Sequence, residues 1–353
     1  MRTFLFMGVH GATPFLKALI MSIRSSRRQA LARGAGFAAT LAGGATLSFE
    51  LHAQQGYPAK PVKVVVGFSA GGFTDLVARA VLQPLSERLK QSFVVENKPG
   101  AGANIATGEV IRSAPDGYTL IVNTVGPMAI NPSLYRKLPH DPINDLVPVI
   151  LLCDGPNVLV VNPSMGVRSF EAFVDRLKAN PGKLTYGSTG VGTAAHLSSF
   201  MLSQRVGSTA IHVPYKGAEA LRDLLAGQID FMCATVPSVI SLIRAERLVP
   251  LAVTSPKRLR SLPEIPTIAE RGFAGFAAGS WAAMYAPRGT PEAVIQLLNR
   301  ELNEVLQLPA VQQILVREGA EPIGGTPAQL AQFTRAEFEK WRTVVRDSGA
   351  STD

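Results

Sequence analysis

An apolar, β-branched run, Val62-Lys63-Val64-Val65-Val66, breaks at Gly67 into Phe68-Ser69-Ala70-Gly71-Gly72. Leu76, Val77, Ala80, Val81 and Leu85 then recur at helical spacing. This order predicts a strand, a tight loop and a helix. Gly71 and Gly72 permit positive φ and close approach of backbone to a bound group, and Thr74 or Asp75 stands where a helix cap belongs. First-turn N–H groups have no partner inside the helix and lie at the positive end of its dipole, so the place suits an anion. A plain βα connection with a capped helix accounts for the same letters.

Gly67-Phe68-Ser69-Ala70-Gly71 also fits the G-x-S-x-G pattern of a hydrolase nucleophile elbow. Position counts against a serine esterase. The elbow should follow earlier strands that supply the oxyanion loop, whereas this one follows the first strand after the leader. His196 and His212 are available as later triad members.

Phe93-Val94-Val95-Glu96 reads as the next strand, Ile105 to Ser113 as a helix and Tyr118 to Asn123 as a third strand. Strands alternating with helices imply parallel pairing and an α/β class. Ligands collect outside the carboxyl ends of such strands, where three loops converge: Phe68 to Asp75, Pro99 to Asn104, and Asn123 to Asn131 with Thr124. Val147 to Leu152 and Val158 to Val161 read as two runs broken at a hinge, Asp154-Gly155-Pro156-Asn157. A second α/β unit follows, and the apolar run Phe276 to Ala286 carries the chain back. Helices over 293–306, 309–318 and 326–346 should then pack on the first sheet. The expected division is 54–153 with 280–353 as one lobe and 154–279 as the other.

The formal charge of +9 overstates the body of the chain. Six of the 35 Lys/Arg and one of the 26 Asp/Glu precede residue 54, leaving 29 against 25. With no basic stripe interleaved with aromatics, no nucleic-acid partner is expected. Arg24 to Arg33, the small and apolar run Gly34 to Leu47 and Ala53 form an export signal over residues 1–53, and Ser26-Arg27-Arg28 fits a twin-arginine variant. The expected location is the periplasm. Cys153 and Cys233 could pair in an oxidising compartment, but each sits in an apolar run, and buried free thiols are the preferred reading. No metal or other cofactor is expected, because no His pair stands at ligand spacing.

Tyr186-Gly187-Ser188-Thr189-Gly190-Val191-Gly192-Thr193-Ala194-Ala195-His196-Leu197 repeats the opening logic. A strand ends, Ser and Thr alternate with Gly, and a helix starts with Thr193 as its cap. Two such cradles, one per lobe, suit the two ends of one small acid. His196 reads either as a catalytic base or as a neutral interior residue, the latter preferred without a paired acid; His212 reads as structural. Asp75 reads equally as a ligand contact or a cap.

With Gly71-Gly72-x-Thr74-Asp75, these motifs, together with Asn97-Lys98-Pro99-Gly100-Ala101-Gly102, Pro115-Asp116-Gly117-Tyr118-Thr119 and His212-Val213-Pro214-Tyr215-Lys216-Gly217, occur in the order found in the Bug family, also called the TctC family. The chain resembles these extracytoplasmic receptors of tripartite tricarboxylate transporters over residues 57–349. The resemblance implies a two-lobed periplasmic-binding-protein fold that closes like a flytrap, each lobe a mainly parallel sheet flanked by helices. It implies a receptor and not an enzyme, acting as a monomer. It would take a small carboxylate ligand, whether dicarboxylate, tricarboxylate, acidic amino acid or aromatic acid, and its partners would be membrane transporter subunits, or a signalling partner if it acts as a sensor. Carried over by position, the contacts are Phe68, Ser69, Ala70, Gly71, Gly72, Asp75 and Thr124 on one lobe, and Ser188, Thr189, Gly190, Thr193, His196 and Thr235 on the other. The chain departs from the family's usual letters at Ala70, Phe200 and Cys233 to Thr235, which widens the ligand class toward less polar acids.

Overall fold

A computed structural model describes residues 56–216 and 219–352; the leader expected over residues 1–53 lies outside them. The chain opens with β1 (Val62–Val66), α1 (Phe73–Leu89), β2 (Phe93–Asn97), α2 (Asn104–Ile111) and β3 (Thr119–Thr124). A π-helical turn, Gly126–Ile130, leads through α3 (Asn131–Leu134) and α4 (Pro142–Asp145) to the long strand β4 (Leu146–Val161). Then come α5 (Phe170–Ala179), β5 (Thr185–Ser188), α6 (Ala194–Val206), β6 (Ile211–Pro214), α7 (Glu219–Leu225), β7 (Phe231–Thr235), α8 (Val236–Arg244) and β8 (Val249–Val253). The chain returns through β9 (Gly279–Pro287), α9 (Glu292–Gln307), α10 (Pro309–Arg317), β10 (Glu321–Pro322) and α11 (Pro327–Ser348).

β1 lies between β2 and β3, parallel to both. Val62, Val64, Val65 and Val66 are wholly buried, as a strand covered on both faces requires. α1 turns Val77, Ala78, Val81, Leu82 and Leu85 inward. In the second half, β5 is parallel to β6 and β7. The ladders made by β4 and β9 are antiparallel, so each half is a mixed sheet with its parallel ladders among the outer strands.

The break expected at Asp154–Asn157 does not occur. β4 runs through it, because Asp154, Gly155 and Pro156 pair with Trp281, Ser280 and Gly279 of β9, and Asn157 pairs with Thr235 of β7. A partner strand supplies the continuity that a Gly-Pro step otherwise interrupts. The approach is close: a Cβ on Gly279 would lie 2.9 Å from Pro156 Cα. At Gly155 a Cβ would lie 2.4 Å from Phe73 Cζ, so the ring that starts α1 is seated on the crossing strand.

Strand directions follow from these ladders. β3 is antiparallel to β9 and β9 to β4, so β1 and β3 point the same way as β4, toward the second half. β7 is antiparallel to β4, and β5 runs with β7, so both point toward the first half. The carboxyl ends of the parallel strands therefore face one another along the crossing.

The C-terminal helices return to the first sheet. Asn299 of α9 donates to Val149 O at 2.8 Å, and Arg88 of α1 meets Glu301 at 2.9 Å. Glu337 of α11 accepts from both Trp281 and Trp341 indole N–H groups, at 3.1 and 2.9 Å. Tyr285 and Thr334 hydroxyls bond at 2.7 Å beneath the same helix. Gly155→Ala should displace Phe73 and lower the unfolding free energy by about 1–3 kcal/mol, the cost of overpacking. Chemical denaturation measures it; an unchanged midpoint would mean that the Phe73 ring does not rest on β4.

Candidate functional site

The first loop leaves β1 between Gly67 and Gly72. Gly67 has no room for a side chain, since a Cβ would lie 2.3 Å from Ala103 Cβ. Gly71 takes φ +77°. The helix cap is Gly72, with no side-chain bond, so the cap expected from Thr74 or Asp75 is absent. Asp75, third in the helix, reaches back instead: its carboxylate accepts from Gly71 N–H at 2.9 Å, Asn97 Nδ2 at 3.0 Å and Arg79 Nε at 3.0 Å. Burial works to raise its pKa, but Arg79, the Gly71 amide and Asn97 outweigh it and hold the carboxyl below its ordinary value. Asp75 is 2% exposed. Both of its oxygens are engaged in shaping the loop.

Gly72 N–H is also spent, on Ser69 O at 3.2 Å. Ser69 and Ala70 are exposed, and their N–H groups take no partner among the described residues. Asn97 Nδ2 holds Phe68 O at 3.0 Å. Thr124 ends β3, whose Val122 is level with Val66 at the end of β1.

The second loop uses different chemistry for the same end. Ser188 is wholly buried; its Oγ donates to Gly190 O at 3.0 Å, accepts from Gly190 N–H at 3.2 Å and meets His212 Nε2 at 2.7 Å. Gly192 N–H donates to His196 Nδ1 at 3.1 Å. Thr193 caps α6 as expected, and its Oγ1 donates to Gly190 O at 2.8 Å. Thr189 and Val191 are the exposed members, and their N–H groups have no partner among the described residues. Ser188, Gly190, Thr193 and His196 thus build the loop, as Gly71, Gly72 and Asp75 build the other, while the exposed Ser69, Ala70, Thr189 and Val191 have N–H groups with no partner among the described residues.

His196 and His212 come from α6 and β6, yet their rings stack at 3.7 Å. Tyr186 extends the stack, 5.0 Å from His212. Burial pushes both imidazoles down to about 4, with His212 adding to the effect on His196. Val191 and His212 were not among the expected site residues. Only the pairing of β5 with β6, Tyr186 level with His212, brings His212 here.

Between the loops lies the crossing. Thr124 and Cys153 both pair with Ala282, and Asn157 pairs with Thr235. From Cys153 to Asn157 is four residues, about 13 Å of strand at ~3.3 Å each. Thr235 is half-buried and its Oγ1 donates to Ser238 Oγ at 3.2 Å. Asn157 is wholly buried; its Nδ2 donates to Ser198 Oγ at 3.2 Å while its Oδ1 has no partner among the described residues. Ser69 Oγ makes no hydrogen bond to a His among the described residues.

Residues 77–350 match the tripartite tricarboxylate transporter family receptor. Among solved structures, Rpa4515 of R. palustris, determined with adipate, is 37% identical with a TM-score of 0.75, covering 84% of this chain and 99% of its own. The periplasmic binding protein BugD is 34% identical with a TM-score of 0.71, covering 84% of this chain and all of its own. MatC from Rhodopseudomonas palustris, with bound malate, is 31% identical with a TM-score of 0.70, covering 82% of this chain and all of its own.

Asp75→Ala leaves Gly71 N–H, Asn97 and Arg79 without their acceptor and should lower stability by about 1–3 kcal/mol. Thermal unfolding measures it; an unchanged Tm would show that the loop holds its shape without Asp75. The imidazoles give a second expectation. An ordinary His titrates at 6.5, and in the fold these rings stay neutral to about 4. Between those values the unfolded chain binds more protons, so their contribution is complete above pH 6.5 and falls as pH drops toward 4. Asp154, raised by burial to about 6, acts with the opposite sign. The comparison is therefore with His212→Phe, whose stability should fall less steeply than the parent's from pH 6.5 to 5; equal slopes would contradict the shifts.

Proposed function

Because the chain belongs to the tripartite tricarboxylate transporter receptor family, we propose that it captures a small dicarboxylate between two lobes and delivers it to membrane subunits of that transporter type. It does so in the periplasm, as a monomer, after loss of its leader. The lobes in this reading are residues 54–153 with 280–353, and residues 154–279. The observation that carries the reading is the pair of facing loops whose Gly71, Gly72, Gly190 and Gly192 amides are consumed internally, while the exposed Ser69, Ala70, Thr189 and Val191 have N–H groups with no partner among the described residues. Such donors suit a carboxylate at each end.

The relatives support the ligand class, because two of them are named with adipate and malate, both dicarboxylates. Closure bends β4 and β9 where they cross, a hinge motion that buries the ligand and changes the face a membrane partner meets. Ser69 Oγ bonds to neither ring among the described residues, while His196 engages Gly192 and His212 engages Ser188, which favours a receptor over a hydrolase.

A thermal-shift screen against succinate, malate, adipate, citrate and benzoate tests this. A diacid at 100 times its Kd should stabilise by about 2.7 kcal/mol, and Ser69→Ala should bind it equally, since its backbone N–H is retained. Ester hydrolysis that Ser69→Ala abolishes, with no shift from any acid, would establish the hydrolase instead.

A further inference from the structure

We propose that His212 and His196 are positioning residues which, as neutral rings, lock the Ser188–Thr193 loop in its donor-outward shape; this rests on the reading of that loop as one carboxylate contact. Each ring holds one end of the loop. His212 Nε2 lies 2.7 Å from Ser188 Oγ, and Ser188 in turn fixes both the carbonyl and the amide of Gly190. Ser188 has one hydroxyl proton; when it goes to Gly190 O, His212 Nε2 is the donor in the remaining bond. His196 holds the other end by accepting from Gly192 N–H, which requires a bare Nδ1 and puts the ring proton on Nε2.

Stacking joins the two grips. The rings lie 3.7 Å apart at 11°, so displacement of one moves the other. Tyr186 of β5 flanks the pair, with Phe231 and Cys233 of β7 next to it. Among the described residues no carboxylate, lysine or arginine bonds to either ring, so nothing there compensates an imidazolium. A proton on His196 Nδ1 would oppose Gly192 N–H and break that bond. Burial keeps both rings neutral down to about pH 4. The loop also touches the first half: a Cβ on Gly192 would lie 2.1 Å from Leu134 Cδ2. A loop released from His196 would therefore lose both its outward amides and its fit against Leu134.

The alternative is a cationic His that attracts the acid directly, and the two differ in pH dependence. Charge attraction would tighten binding as pH falls from 7 to 5, whereas a neutral lock leaves affinity flat there.

Two measurements on the full chain decide. Nitrogen NMR of ¹⁵N-histidine protein without ligand should show His196 as the neutral Nε2–H form from pH 8 to 5. Calorimetry with adipate should give a Kd, referred to the concentration of the adipate dianion, constant within about twofold over that range. His196→Phe, which keeps the stack and removes the acceptor, should weaken adipate by about tenfold or more, the loss of one hydrogen bond and its geometry. His196→Asn restores an acceptor and should recover most of the affinity. A His196 ring that titrates near 6.5, or a His196→Phe variant that binds as the parent does, would overturn the proposal. Adipate failing to bind the parent would strike at the dicarboxylate reading, and the ring tautomer would still decide the lock even if a variant failed to fold.

Discussion

The structure depends on the backbone pairing of β4 with β9. Nine ladder positions, from Leu146↔Pro287 to Pro156↔Gly279 with two register shifts between them, carry both strands from one half to the other. Without that pairing, Gly155-Pro156 would end a strand, because Pro offers no N–H and Gly no side chain to pack. With it, the two strands form one ribbon. The ribbon fixes the direction of every neighbouring strand, and so decides that the carboxyl ends of β1 and β3 confront those of β5 and β7. It also offers Gly155 as a seat for Phe73, tying the first loop's helix to the crossing itself.

On that frame the two loops solve one problem twice. A tight turn at a strand end leaves more N–H groups than it needs, and those turned inward must find acceptors. In the first loop a buried carboxylate, Asp75, takes Gly71, and Ser69 O takes Gly72. In the second, a hydroxyl and an imidazole do this work, Ser188 for Gly190 and His196 for Gly192. Satisfying the glycines by internal partners is what directs the remaining amides outward. The shape of each loop is thus a consequence of hydrogen-bond accounting, and the residues that make those bonds differ from the exposed ones whose N–H groups take no partner among the described residues.

That difference explains where sequence reading succeeds and fails. The strand, loop and helix at Val62 to Leu85 and their repetition at Tyr186 to Leu197 are legible because β-branched runs, glycines and helical spacing act locally. The family motifs are legible for the same reason. His212 is another matter: sixteen residues of chain separate it from His196, and β5–β6 pairing with α6 packing makes them stack. Asp75 looks like a cap because the residue types at a helix start are shared by caps and by back-reaching acids; only the φ of Gly71 and the nearness of Asn97 and Arg79 distinguish the two.

The sequence by itself determined the α/β class, the order of its elements and the positions of both glycine-rich turns, since these follow from side-chain branching, periodicity and backbone freedom within a few residues. Tertiary structure decided that β4 is unbroken, that its partners on β9 lie 123 to 141 residues onward, and which amides of each loop are taken up internally. Those outcomes rest on hydrogen bonds between segments distant in the chain, and no local pattern specifies the partner of a donor that folding has yet to bring near.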